Sequence, residues 1–190
     1  MKNPIREIID IIETSEKYKD TLKQDNLCYD RSDLAPIMSK NTLDYHFGEL
    51  AKKYVDRYNK GEGDAEFNKA GAVLHNIYFA QFKPAGGPNR PHGAIQEVIT
   101  KHYKGNFENI KSAFEKEAMA IQGSGWVYLS RDGSIKTIKN HQIKNDIIIL
   151  IDWWEHAWAL DYQSKKEKYL KNIWRIIDWS VIDKRINNGI

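Results

Sequence analysis

The spacing of hydrophobic positions changes character along the chain. After Pro4, isoleucines at positions 5, 8, 9 and 12 recur at intervals of three and four, which predicts an amphipathic helix over residues 4–24. Residues 26–36 carry no regular pattern. Ser39 is then placed to cap a helix that runs to Gly61 and Gly63, and a second helix fits residues 64–81. It stops before KPAGGPNRP at 83–91, the chain's richest run of proline and glycine. Two more helical stretches fit residues 92–121, broken near Gly105. From Gly123 the pattern switches to alternation: GSGWVYLSRDGSIKTIKN reads as a β-hairpin around Arg131-Asp132-Gly133. IIILID at 147–152 supplies a third strand. From Trp154 onward helical spacing returns, with Tyr169, Trp174 and Ile177 on an apolar face. The expected fold class is α+β, an all-helical first part followed by an α/β part with a three-stranded antiparallel sheet.

Composition narrows the function classes. A chain of 190 residues with 41% hydrophobic content, six Trp, ten Tyr and six Phe can build a sizeable interior. The 29 basic and 26 acidic residues leave a net charge of +3, and no stretch concentrates Lys and Arg without acidic neighbours. That argues against nucleic acid as the main partner, while a small anion would still be attracted. The apolar run IIILI is too short to cross a bilayer, and the acidic N-terminus does not resemble a targeting segment. With its single Cys28, the chain is expected to be cytoplasmic, with no membrane partner.

Candidate chemistry lies with the histidines. His92 and His102 fall in or near the polar linker and are expected to be solvated. His46, between Tyr45 and Phe47, and His75, within AGAVLHNIYFAQF, sit in apolar company. A lone histidine there is ordinarily a hydrogen-bonded core residue. Two such helices combine with Asp152 and His156, four residues apart in IDWWEHAWALDY, into a set of three nitrogens and one oxygen. Such a set suits a first-row metal: iron or manganese, with zinc as the competitor.

At this point the chain resembles the iron/manganese superoxide dismutases, from about Cys28 to the C-terminus. DWWEHAWALDY is similar to that family's D-x-W-E-H-A signature. Gln122 with GSGW at 123–126, IWRIIDWSVI near the end and LAPIMSKNTLDYHFG near the start are three further landmarks, in order. The resemblance implies one iron or manganese ion per subunit, with ligands His46, His75, Asp152 and His156 and a solvent molecule as fifth ligand. It implies dismutation of superoxide to dioxygen and hydrogen peroxide, with Tyr54 as the gateway tyrosine. Trp126 and Trp154 become an apolar wall, and Glu155 a contact across a homodimer interface. The expected organisation is an N-terminal helical extension at 1–27, a helical-hairpin domain at 28–90 and an α/β C-terminal domain at 91–190.

The departures from the family pattern are specific. Leu50 stands where most members have a histidine, and Ala159 where that histidine's tyrosine partner would be, so both partners of one hydrogen bond are missing together. Gly71, four residues before His75, excludes one of two sources of the group that holds the bound solvent. NHQ at 140–142 remains, with His141 as the expected residue and Gln142 as the alternative. The rival functions are a catalytically impaired interaction protein of the same fold and a zinc hydrolase.

Overall fold

The structure, a computed structural model, describes residues 21–190. The helix expected over 4–24 therefore lies outside the described residues, apart from 21–24, which have no regular structure. Helix α1 (Lys40–Tyr45) starts at Ser39, whose side chain accepts from the Thr42 N–H as expected of a cap. The single helix expected up to Gly61 is interrupted by a π-helical segment, His46–Ala51, before α2 (Lys52–Lys60). The burial pattern explains the break. Leu43, His46, Ala51, Val55 and Tyr58 are all buried, and the step of five between His46 and Ala51 is what a π turn accommodates. Gly61 ends α2 in the left-handed region at φ 69°.

Helix α3 (Ala65–Ala80), capped by Asp64, packs antiparallel to α2 as the first half of the pattern predicts. Helices α4 (Ile95–Tyr103) and α5 (Phe107–Ala120) follow the proline-rich linker. Strands β1 (Gly125–Ser130), β2 (Ile135–Lys139) and β3 (Ile147–Asp152) form an antiparallel sheet in the order β2-β1-β3. Trp126 pairs with Ile138 on one side and Asp152 on the other.

Every residue of β1 and β3 is buried, so both faces of these strands are covered. Helix α5 packs on β1 and β2, while α3 and the last helix, α8 (Trp179–Asn188), pack on β3. The open edge of β3 is closed by side chains where another strand would otherwise lie. Arg185 donates to the Ile148 carbonyl, the Gln81 amide pairs with both backbone groups of Leu150, and the Tyr169 hydroxyl donates to the Asp152 carbonyl.

The segment after Trp154 is helical as expected, but in pieces. A 3₁₀ turn (Glu155–Ala157) leads into α6 (Ala159–Tyr162), α7 (Lys166–Ile173) and then α8. Gln163, at φ 53°, stops α6. Asp161 anchors it to the start of α1, accepting from the Ser39 N–H at 2.9 Å and the Thr42 hydroxyl at 2.8 Å. Among the described residues no helix is long and apolar enough to cross a membrane.

Candidate metal centre

Four elements converge on one point. His46 stands where α1 passes into the π segment, His75 in the middle of α3, Asp152 at the end of β3 and His156 in the 3₁₀ turn. One donor atom from each lies within 4.8 Å of the others. The Nε2 atoms of His46, His156 and His75 are 3.1, 3.3 and 3.7 Å from Asp152 Oδ2. Despite that closeness, none of these four atoms makes a hydrogen bond of acceptable geometry. The donors aim at a shared centre, and metal–ligand bonds of about 2.0–2.2 Å would set neighbouring donors roughly 3 Å apart.

The protonation states suit a cation. Burial works to raise the Asp152 carboxyl, but the facing imidazoles of His156 and His46 outweigh it and hold the carboxyl well below the usual carboxylate range. Burial pushes His46 down to about 4, against the pull of Asp152. His75 is also pushed well below its ordinary value, by burial and then by His46. These two imidazoles are neutral and the carboxylate is ionised, which is the form metal coordination needs. Neighbouring groups also fix orientation. The His75 Nδ1–H donates to the Gly71 carbonyl at 2.7 Å, leaving the Nε2 lone pair for the centre. Asp152 Oδ1 accepts from the Trp154 N–H at 2.8 Å, leaving Oδ2 free.

His141 is only 6% exposed, whereas Gln142 is exposed. The Trp126 indole N–H donates to His141 Nδ1 at 3.1 Å, so the ring proton sits on Nε2, a buried donor with no partner. Burial lowers His141 to about 4, so the ring is neutral. It stacks on Trp154 at 4.6 Å, with Tyr54 edge-on at 4.9 Å. Tyr54 stacks on His75 at 5.3 Å, and burial, followed by Asp152, raises its hydroxyl to about 12.

Gly71 is what seats Tyr54: a Cβ there would lie 2.8 Å from the tyrosine ring. Phe67, Phe79 and Phe47 extend the apolar packing around these rings. Sequence reasoning assigned no role to Phe67, and only the helical register of α3 could have indicated one. Trp126 is fully buried with its ring edge-on to His75 at 5.0 Å, and Trp154 stacks on His156 at 5.6 Å. Glu155 is exposed and, with His156, Trp158 and Ala159, lines an open cleft of about 740 Å³. Leu50 and Ala159 are both half-buried.

A family model for iron/manganese superoxide dismutases, C-terminal domain, matches residues 91–185. Superoxide dismutase [Fe] of Bacteroides fragilis is 35% identical over an alignment covering 87% of this chain and 100% of the relative. The chain belongs to the iron/manganese superoxide dismutase family. Superoxide dismutase [Mn/Fe] of Porphyromonas gingivalis is 36% identical, with 80% of this chain and 92% of the relative covered. Superoxide dismutase [Fe] of Sulfolobus acidocaldarius is 32% identical, covering 80% and 87%. Membership of this family implies an iron or manganese ion, and the His46, His75, Asp152 and His156 cluster is where the chain can hold one. These relatives are named for either metal.

Proposed function

We propose that this chain is a superoxide dismutase, converting two superoxide anions and two protons into dioxygen and hydrogen peroxide. One iron or manganese ion per subunit would be held by His46, His75, Asp152 and His156. The observation that carries the reading is the set of buried ligand atoms aimed at one point without partners, in a chain of this family. The ion supplies a one-electron redox couple. Asp152 offsets part of the cationic charge. His141, its proton fixed on Nε2 by Trp126, offers a neutral donor to solvent at the centre. Tyr54 keeps its hydroxyl proton at neutral pH, in line with a part in proton delivery. The aromatic wall around these groups restricts the centre to small molecules.

We infer that the protein acts in the cytoplasm, in keeping with its single free Cys28. It would work as a homodimer with Glu155, exposed beside His156, at the interface. The division into an extension at 1–27, a helical hairpin at 28–90 and an α/β part at 91–190 belongs to the same reading.

The deciding experiment is elemental analysis of the purified protein with a superoxide dismutation assay, beside a His156→Ala control. Iron or manganese near one per chain, with activity lost in the control, is the expected result. Metal-loaded protein without activity would sink the enzyme reading in favour of an interaction protein. Stoichiometric zinc alone would favour a hydrolase. For the interface, Glu155→Ala should weaken the dimer, and unchanged sedimentation at low concentration would count against that role.

A further inference from the structure

Residues 21–25 (Thr-Leu-Lys-Gln-Asp) have no regular structure of their own, yet they are tied to three separate elements. Asn59 in α2 engages both backbone groups of Leu22: Oδ1 accepts from its N–H and Nδ2 donates to its carbonyl, each at 2.9 Å. Asn76 in α3 does the same for the next turn of chain. Its Oδ1 accepts from the Asp25 N–H at 3.2 Å, and its Nδ2 donates to the Lys23 carbonyl at 2.9 Å. Between these anchors Gln24 sends its Nε2 to the Phe47 carbonyl, 2.7 Å away in the π segment. Two of the three anchor points adjoin cluster residues, for Phe47 follows His46 and Asn76 follows His75.

Gln24 therefore reaches the π segment at a backbone carbonyl beside His46. A π turn shifts the helical hydrogen bonds by one residue. At the end of the segment the Lys52 N–H reaches the Glu49 carbonyl, which tightens the return to α2. The outer side of the segment is braced by Arg31 as well. Its guanidinium sits 5.5 Å from the Phe47 ring, bonds to Asp44 at 2.9 Å and occupies the space a Cβ on Gly48 would need. Relaxing a π turn into an α turn moves the flanking residues by one position, about 100° around the axis, and would swing His46 away from Asp152.

We propose that residues 21–25 form a clasp that sets the placement of His46 relative to His75, with Gln24 as a positioning residue for the metal centre. The inference rests on the metal-site reading above but does not depend on which metal or reaction the site serves. Cobalt(II), whose visible spectrum reports ligand geometry, is therefore the probe for the full-length protein. Gln24→Glu keeps the side chain's shape but puts oxygen where the donor was, while Gln24→Lys keeps a donor at similar reach.

Gln24→Glu should release cobalt to excess chelator about fivefold faster, as loss of one hydrogen bond predicts. Its cobalt spectrum should shift, and amide exchange should quicken at residues 47–52 and not in β1 or β3. Gln24→Lys should stay within about twofold of wild type on every measure. Wild-type release and spectrum in Gln24→Glu would overturn the proposal, as would exchange that quickens uniformly across the protein. Purified wild type without iron, manganese or dismutation would defeat the functional reading yet leave these cobalt measurements able to judge the clasp.

Discussion

Two formally charged side chains, Asp152 and Arg185, are buried among the described residues, and they are treated in opposite ways. Arg185 donates to the Gln81 side chain at 3.3 Å and to the carbonyls of Ile148 and Ile77 at 3.2 and 2.5 Å, closing the open edge of β3. Burial lowers it to about 10, so it keeps its charge at neutral pH. Asp152, at the end of the same strand, faces three imidazoles, and the atoms that meet there have no hydrogen-bond partner. A buried group that serves the architecture has its bonding satisfied, because each orphan costs about 1–3 kcal/mol. A cluster that leaves several orphans together is built for something else to complete it. The difference between these two sites, both at strand β3, is that between a charge satisfied by the fold and one left for another group to complete.

The largest test of that contrast is Asp152→Ala. The variant should retain no iron or manganese and lose at least about a hundredfold in dismutation, more than is usual for residues outside the coordination sphere. Its metal-free form should unfold within about 1–2 kcal/mol of metal-free wild type, losing the Trp154 N–H contact while relieving a buried carboxylate. A large loss of stability in the metal-free variant would erase the distinction.

Arg185→Leu should do the reverse. Two carbonyls and the Gln81 oxygen would face an apolar side chain, costing about 3 kcal/mol in equilibrium unfolding. Metal content per folded chain should stay at the wild-type level. Metal loss without a stability change would mean that Arg185 acts on the centre.

Much of this layout was legible in the sequence, and the reasons are particular. Ser39, Asp64, Gly61 and the Arg131–Gly133 turn act through local backbone chemistry, so their boundaries can be read without the fold. The cluster was legible because His46, His75, Asp152 and His156 are uncommon in their apolar surroundings and sit in recognisable segments. The π segment was not, because its extra residue shows only once the buried positions are known. Gln81 and Arg185 were missed for another reason. Their partners are backbone groups of a strand far along the chain, and a carbonyl leaves no mark in a sequence pattern. Gln24 escaped notice in the same way.

Acidification tests whether His46 and His141 are neutral imidazoles in the fold. His46 and His141 are lowered to about 4, from an ordinary 6.5. Between those values the unfolded chain binds protons at these rings and the folded chain does not, so the metal-free protein loses stability as pH falls. Each histidine can contribute up to about 1.4 kcal/mol per pH unit in that window, and nothing above it. The lowered Asp152 carboxyl adds a further loss as pH falls through its ordinary value of 3.8. Denaturant midpoints of the metal-free protein from pH 8 to 3 check this. A midpoint that stays flat below pH 6.5 would show the histidines to be protonated in the fold.

Gly71→Ala sharpens the contrast at its smallest scale, because it alters a neighbour of the cluster and no orphan atom. The added Cβ would lie 2.8 Å from Cγ and Cδ1 of Tyr54, near the root of the ring, so the ring must move off His75. The clash costs about 1–3 kcal/mol, while replacing a helical glycine with alanine returns roughly 1 kcal/mol. Net stability should therefore fall by about 1 kcal/mol, and metal content should not change. Dismutation should drop several-fold if the Tyr54 hydroxyl delivers protons from its present seat. Wild-type activity in a variant whose Tyr54 has demonstrably shifted would remove that residue from the proposed centre and leave the His46, His75, Asp152 and His156 cluster, with His141, as the candidates for the chemistry.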